Sequence, residues 1–220
     1  MSNNMLYTPF VGSLFDTEGF CGKRILVVGA SFYCSNSINE AHDPCPYFDQ
    51  CTDSERHDSS AFEDLCPIYK LSLSPTEEIS KAWQRYVSFG NLLAGKYYPG
   101  ESWVDVFNRI SFTNYVQFVL PRMQTYATDI TPRDYRAFEE ALDYTKADIV
   151  IIWGRKVNWP VREHAINDGK LQETNGYLWH IVYKGKIIPV VNPYHPSFSW
   201  CFREKSKESF FNALDEALAE

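Results

Sequence analysis

The chain has 220 residues, 45% hydrophobic and 16% aromatic, so it is long enough to bury one sizeable core, and a single domain over residues 1–220 is expected. Its formal net charge of −7 argues against a protein that coats nucleic acid through its overall electrostatic field. No apolar stretch approaches the roughly 20 residues that a membrane-spanning helix requires, and the first residues do not resemble a secretory signal. We therefore expect a cytoplasmic monomer without a membrane partner.

The predicted elements alternate between strands and helices. Apolar runs predict buried strands at residues 24–29, 147–153 and 186–191, the last forming a hairpin with residues 177–183, and a further strand is expected at residues 109–112. Helix-start signals or helical spacing predict helices after Ser74, Trp103 and Thr131, and a last helix that carries Phe210 and Leu214. This alternation predicts an α/β protein, a three-layer α/β/α sandwich around a central, mainly parallel four-stranded sheet.

A cysteine-containing excursion interrupts this pattern at about residues 34–70. Four of the six cysteines fall there: Cys34, Cys45, Cys51 and Cys66. They are either unligated thiols of a cytosolic protein or ligands of a structural zinc ion or iron–sulfur cluster, although the tight Cys-x-x-Cys pair of known zinc sites is missing. No cofactor is required by the sequence.

Three of the predicted strands end in residues that carry chemistry. Gly29-Ala30-Ser31 follows the first strand, Thr113-Asn114 follows the second, and His195 follows the last, held between two prolines. Open α/β sheets bind their ligands beyond the carboxyl ends of the strands, so these residues predict one site. The first turn has neither the Gly-x-Gly-x-x-Gly pattern of dinucleotide sites nor the Lys-Ser/Thr of a P-loop, which argues against nucleoside-triphosphate chemistry.

Each candidate residue also has a structural interpretation. His195 would donate a hydrogen bond to a developing anion, but a histidine taken alone is more often structural. Asn114 either reads a base or amide edge, or caps the turn after its strand. Phe32 and Tyr33 either form a stacking wall for a planar ligand or belong to the core. The best local basic edge consists of Arg203, Lys205 and Lys207, although Glu204 and Glu208 interrupt it.

Taken in order, the motifs resemble the uracil-DNA glycosylase superfamily. They are a Gly-x-x-x-Tyr turn after the first strand, a Thr-Asn-x-Val segment, Ile-Val-Ile-Ile-Trp-Gly and a closing His-Pro-Ser, spread over residues 24–202. The segment at residues 113–116 is similar to that of the thermophilic bacterial and archaeal branch. The resemblance implies a three-layer sandwich that flips a damaged base out of DNA into a pocket at the strand ends.

The resemblance also implies roles for the candidate residues. His195 would stabilise the negative charge on the departing base, and Asn114 would hydrogen-bond the base edge. The turn at Gly29 and Ala30 would let the backbone approach the base. The other implied contacts are stacking or exclusion by Phe32 or Tyr33, a phosphate contact by Ser197, a DNA wedge at Trp200 and a DNA contact at Arg203.

The chain departs from the family in its first motif, where an acid normally orients the attacking water. The two positions at which branches of the family carry this acid are occupied here by Ala30 and Ser31, and neither is a general base at neutral pH. Asp16, Glu40 and Asp43 are the candidates to substitute from neighbouring loops, although some members of the family work with a non-acidic residue at this position. The cysteine spacing also differs from that of the iron–sulfur branch, so that cluster is not carried over.

Three functions remain open from the sequence. The first is a DNA glycosylase that hydrolyses the N-glycosidic bond of uracil or another damaged base, with His195 and Ser31 in the catalytic positions. The second is a non-catalytic module of the same fold that binds a nucleobase or nucleic acid. The third is a scaffold around a metal-bound cysteine loop.

Overall fold

The computed structural model describes residues 4–5, 7–33, 84–117, 119–120, 130–193 and 203–220. Nine strands lie in these ranges: β1 (Phe10–Val11), β2 (Ile25–Gly29), β3 (Phe32–Tyr33), β4 (Ile110–Asn114), β5 (Val119–Leu120), β6 (Ile149–Ile152), β7 (Leu171–Asn175), β8 (Leu178–Tyr183) and β9 (Lys186–Val191).

Five helices lie in the same ranges: α1 (Gln84–Tyr97), α2 (Trp103–Phe107), α3 (Pro132–Thr145), α4 (Arg155–Asn167) and α5 (Glu204–Ala219). The start of α1 that we predicted after Ser74 falls outside the described residues, and α1 ends at Tyr97. The predicted helices at Trp103 and Thr131 are confirmed, each with a capping box at its first turn.

The sheet is larger and more mixed than the four-stranded, mainly parallel sheet that we predicted. Seven strands are hydrogen-bonded in the order β1-β4-β2-β6-β9-β8-β7. The central strands β4, β2, β6 and β9 run parallel, whereas β1, β8 and β7 pair antiparallel. The predicted parallel core is therefore present, but an antiparallel strand flanks it on one side and an antiparallel hairpin on the other.

β2, β4 and β6 are buried on both faces along their length, as is β9 after its first two residues, which explains the continuous apolar sequences of β2 and β6. Alternate residues of β2 point to opposite faces, so Ile25 and Val27 belong to one hydrophobic cluster and Leu26 and Val28 to another. The first cluster is completed by α1, α2 and α5, and the second by α3 and α4. Helices therefore cover both faces of the sheet.

Five described elements were not predicted, namely β1, β3, β5, β7 and α4. β1 has two residues and β7 lies at the sheet edge, so neither shows an apolar pattern. α4 begins after Gly154, whose φ of 86° suits glycine, and it contains Pro160. Within the described residues, no helix is both long and apolar enough to cross a membrane.

Candidate functional site

The parallel strands bring two of the predicted site segments, at residues 29–31 and 113–114, to one edge of the sheet. In the register of β2 and β4, Gly29 pairs with Asn114, and in the register of β2 and β6, Val28 pairs with Ile152. β9 runs parallel to β6, with Val191 opposite Ile151. The carboxyl ends of these four strands therefore lie side by side, where open α/β sheets bind ligands.

Backbone hydrogen bonds hold the first two segments together beyond the strand ends. The Tyr115 N–H donates to the Gly29 carbonyl at 3.0 Å, and the Val116 N–H donates to the Ala30 carbonyl at 3.0 Å. Ser31 follows directly and is 8% exposed. The predicted proximity of Gly29, Ala30 and Ser31 to Asn114 is confirmed.

Gly29 leaves room for the Asn114 side chain. A Cβ atom on Gly29 would lie 2.3 Å from Asn114 Oδ1 and 2.8 Å from Phe112 Cζ, both closer than van der Waals contact allows. Only glycine therefore fits here without moving the amide. The amide of Asn114 consequently lies directly over the end of β2.

The Asn114 side chain is almost fully buried, with the residue 3% exposed. Its backbone carbonyl accepts from Gln117 Nε2 at 2.8 Å and from Thr113 Oγ1 at 3.4 Å. Within the described residues, its side-chain amide makes no hydrogen bond. With one acceptor and two donors not used by the described residues, this amide is suited to bind a ligand edge.

A buried carboxylate supports the turn that carries Asn114. Asp134 is 0% exposed, and its Oδ1 accepts from the Gln117 backbone N–H at 2.9 Å. Its Oδ2 accepts from the backbone N–H and the hydroxyl of Thr131, at 2.7 and 2.9 Å. Burial raises the pKa of Asp134 above its usual value, although these donors act in the opposite direction. The turn after β4 is thus fixed to the first residues of α3.

An aromatic cluster lies on the other side of Gly29. Trp153 follows β6 and is 2% exposed, and its ring centroid lies 5.0 Å from that of Phe89, 5.1 Å from that of Tyr86 and 5.4 Å from that of Phe112. Phe112 is also the ring that a Cβ on Gly29 would meet. Buried aromatic contacts of this kind keep the strand ends in fixed positions.

The chain that leaves β9 is attached to the end of β6. The Asn192 amide donates to the Ile152 carbonyl at 2.7 Å, and the Gly154 N–H donates to the Pro193 carbonyl at 3.0 Å. Pro193 therefore lies at the same edge as Gly29 and Asn114. His195, two positions further on, is outside the described residues, and so are Ser197 and Trp200.

The remaining predicted site residues are distributed differently. Phe32 and Tyr33 form β3, which pairs with β5 in a separate two-stranded parallel sheet. Arg203 is exposed and is the N-cap of α5. Lys207 of the proposed basic edge forms an ion pair with Glu204 at 2.5 Å, which reduces the positive charge there.

Asp16 does not replace the missing acid of the first motif. It lies after β1, which runs antiparallel to β4. The neighbouring Leu14 N–H donates to the carbonyl of Asn108, before β4 begins. Asp16 therefore lies towards the opposite, amino-end edge of the sheet. Glu40 and Asp43 fall outside the described residues.

The four clustered cysteines, Cys34, Cys45, Cys51 and Cys66, also fall outside the described residues. In the part of the chain that the structure describes, no group of three or more His, Cys, Asp or Glu side chains is arranged to hold a metal ion, and Cys21 is an exposed free thiol. The metal hypothesis for the cysteine excursion stays a prediction.

Two supporting residues were not identified from the sequence. Asp134 stands three positions after Thr131, and that spacing is the signal of a capping box, which would have found it. Gln117 gave no comparable signal, because its contact with Asp134 joins two separate elements.

No family model matches the chain, and a search of curated proteins finds no match.

Proposed function

We propose that the chain binds a nucleobase at the carboxyl edge of its parallel strands and hydrolyses the N-glycosidic bond of uracil or another damaged base in DNA. The observation that supports this most strongly is the buried Asn114 amide, which makes no hydrogen bond with the described residues. Gly29, which leaves space for that amide, and the order of the motifs add to the support.

In the proposed reaction, the bond between C1′ of the sugar and the base nitrogen breaks, and its electron pair leaves with the base. Asn114 would hydrogen-bond the edge of that base, and His195 would donate a hydrogen bond to the oxygen on which the charge develops. The oxygen of a water molecule then bonds to C1′, and the proton that it loses passes through solvent to the departed base anion. Ser31 occupies the place of the residue that orients this water in the resembling family.

A non-catalytic nucleobase-binding module is the second candidate. It is favoured by Ala30 and Ser31, which stand where the resembling family has its acid. The nearest buried carboxylate that the structure describes, Asp134, already accepts three hydrogen bonds and holds the turn. Losing a positioned acid or base typically removes about 10²- to 10⁴-fold in rate, so this candidate predicts binding without product.

Base release separates the two candidates. Single- and double-stranded oligonucleotides that carry uracil, hypoxanthine or xanthine are incubated with the native protein and with His195→Ala and Asn114→Ala. The matched controls are His180→Ala, whose side chain pairs with Glu220, and Asn91→Ala on the exposed face of α1.

The glycosylase proposal expects release by the native protein and both controls, and a loss of about 10²-fold or more in His195→Ala and Asn114→Ala. Release that persists unchanged in both site variants would contradict it. If no base is released, but a nucleobase stabilises the native protein against heat and does not stabilise Asn114→Ala, the binding module is correct.

A further inference from the structure

The exposed face of α4 combines one large aromatic side chain with three cations. Trp159 is 70% exposed, more than the other exposed large hydrophobic side chains that the structure describes. Arg155 and Lys156 are exposed in the first turn, and Arg162 is half-buried almost one turn after Trp159. We call these four residues the α4 face. An indole so exposed on a helix whose other side is core has little role in stability.

The charge on the α4 face is mainly positive. Residues 155–163 contain three cations and one carboxylate, Glu163, which is exposed about one turn after Trp159, in a chain whose formal net charge is −7. In the part of the chain that the structure describes, no salt bridge joins Arg162 to a carboxylate. The field beside Trp159 therefore attracts anions, unlike that of the chain as a whole.

The α4 face starts at the edge that carries the proposed base site. Gly154 is the N-cap of α4 and donates its N–H to the carbonyl of Pro193, next to the end of β6. Trp159 lies four residues after Arg155, which is about 6 Å along a helix that rises roughly 1.5 Å per residue. A ligand that extends from the edge would cross these side chains first.

The helix beneath this face is fixed to the sheet. Val157 and Val161 are 0% exposed in the cluster between α4 and the sheet. Trp179 Nε1 of β8 donates to Asn158 Oδ1 at 2.9 Å, next to Trp159 in the chain. The backbone that carries Trp159 is therefore held in place, which lowers the entropic cost of binding a ligand on it.

We propose that the α4 face binds a strand of nucleic acid, with a base stacked on the Trp159 indole and phosphates beside Arg155, Lys156 and Arg162. Aromatic stacking and backbone charge together are the means by which proteins bind single strands. The inference rests on the proposed function and extends it, because it assigns a second surface of the chain to the strand that carries the base.

The test measures the affinity of the native protein and its variants for a fluorescein-labelled single-stranded oligonucleotide without any damaged base, at several salt concentrations. The variants are Trp159→Ala, Trp159→Phe and Arg162→Gln. The control is Tyr144→Ala, which removes an aromatic side chain that is 54% exposed at the end of α3.

We expect Trp159→Ala to weaken binding by about tenfold or more, and Trp159→Phe to retain most of the affinity, because a phenyl ring still stacks. Arg162→Gln should reduce the slope of log affinity against log salt by about 0.7, the value for one lost phosphate contact on a single strand. Tyr144→Ala should bind like the native protein.

Equal affinity of the native protein and Trp159→Ala would overturn the inference. So would a Trp159-dependent binding to anionic phospholipid vesicles in place of the oligonucleotide, since a basic aromatic helix face is also able to bind a membrane surface. The variant Asn114→Ala separates failure of the α4-face inference from failure of the proposed function. This variant should keep its affinity for the undamaged strand while it loses base release.

Discussion

At the scale of single residues, the site depends on the pairing of a glycine with an asparagine. Gly29 provides the space into which Asn114 Oδ1 fits, and the amide of Asn114 remains without a hydrogen-bond partner among the described residues. The residue is largely buried, but its amide atoms are not fully enclosed, so the amide is available for a ligand.

Gly29→Ala should therefore affect binding more than stability. Its new Cβ would lie 2.3 Å from Asn114 Oδ1, and because that atom is the end of a side chain, the amide would turn away from its present position. We expect a loss of about 1–3 kcal/mol in the free energy of unfolding, measured in urea, and the loss of nucleobase binding.

Gly95→Ala is the matched control for this change. Gly95 lies inside α1, and a Cβ there would have no atom within 4 Å. Alanine in a helix interior is more favourable than glycine by about 0.5–1 kcal/mol, so this variant should be more stable and should bind normally. If Gly29→Ala binds a nucleobase as well as Gly95→Ala does, the proposed position of the Asn114 amide is wrong.

At the scale of elements, Asp134 connects the turn after β4 to the start of α3. Its two oxygens accept from Thr131, as a capping box, and from the backbone of Gln117 in the turn. A second capping box, of Ser102 and Asp105, begins α2 without such a connection. The two motifs have the same local pattern and different tertiary roles.

Asp134→Ala should consequently destabilise the protein more than Asp105→Ala. Removal of the Asp134 carboxylate leaves the backbone N–H groups of Gln117 and Thr131 without their acceptor, and we expect a cost of about 2–4 kcal/mol. Asp105 accepts from an exposed Ser102, so its removal should cost about 0.5–1 kcal/mol. Equal losses in chemical denaturation would show that Asp134 acts only as a helix cap.

The elements that position the site were largely predictable from the sequence, since β2 and β6 are short apolar runs buried on both faces and β9 is apolar after its first residue. α4 was missed because it begins at Gly154 without a polar cap and contains Pro160, both of which usually mark the absence of a helix. The α4 face could not be predicted without that helix.

At the scale of the whole molecule, the carboxyl ends of the central strands could be assigned from the sequence to one edge of the sheet, because parallel strands share a direction. The number of strands in the sheet could not be predicted, because the pairing of β1 with β4 and of β7 with β8 is set by tertiary contacts of short or polar segments. The proximity of the two segments was predicted, but the direct contact between Gly29 and the Asn114 side chain was not, since it joins residues from two separate strands.

An ion-pair network at the amino-end edge gives the molecule a predictable response to acid. Asp148 accepts from Arg24 Nε at 3.2 Å and from Lys186 Nζ at 2.6 Å, and so joins β6 to the strands on either side. Burial alone would raise the pKa of Asp148, but these hydrogen bonds lower it from 3.8 to about 2.

Because the pKa of Asp148 is lower in the folded state than in the unfolded state, its ionised form stabilises the fold. That contribution is complete above about pH 5 and is lost as the pH falls from about 4 through 2. Asp148→Asn should cost about 1–2 kcal/mol at pH 7 and almost nothing at pH 2, measured by denaturation at each pH. Asp16→Asn, at an exposed position, is the control and should change stability little. A deficit in Asp148→Asn that is independent of pH would contradict this account.

The central claim is that the Asn114 amide binds a nucleobase at the carboxyl edge of the sheet, and calorimetric titration of the native protein and of Asn114→Ala with uracil, hypoxanthine and xanthine tests it most directly. The account predicts one site per native chain for at least one of these bases, and an affinity at least about tenfold weaker in Asn114→Ala, because the hydrogen bonds to the base edge are lost. Equal affinity in the two proteins, or no binding of any of the three bases to the native protein, would contradict it.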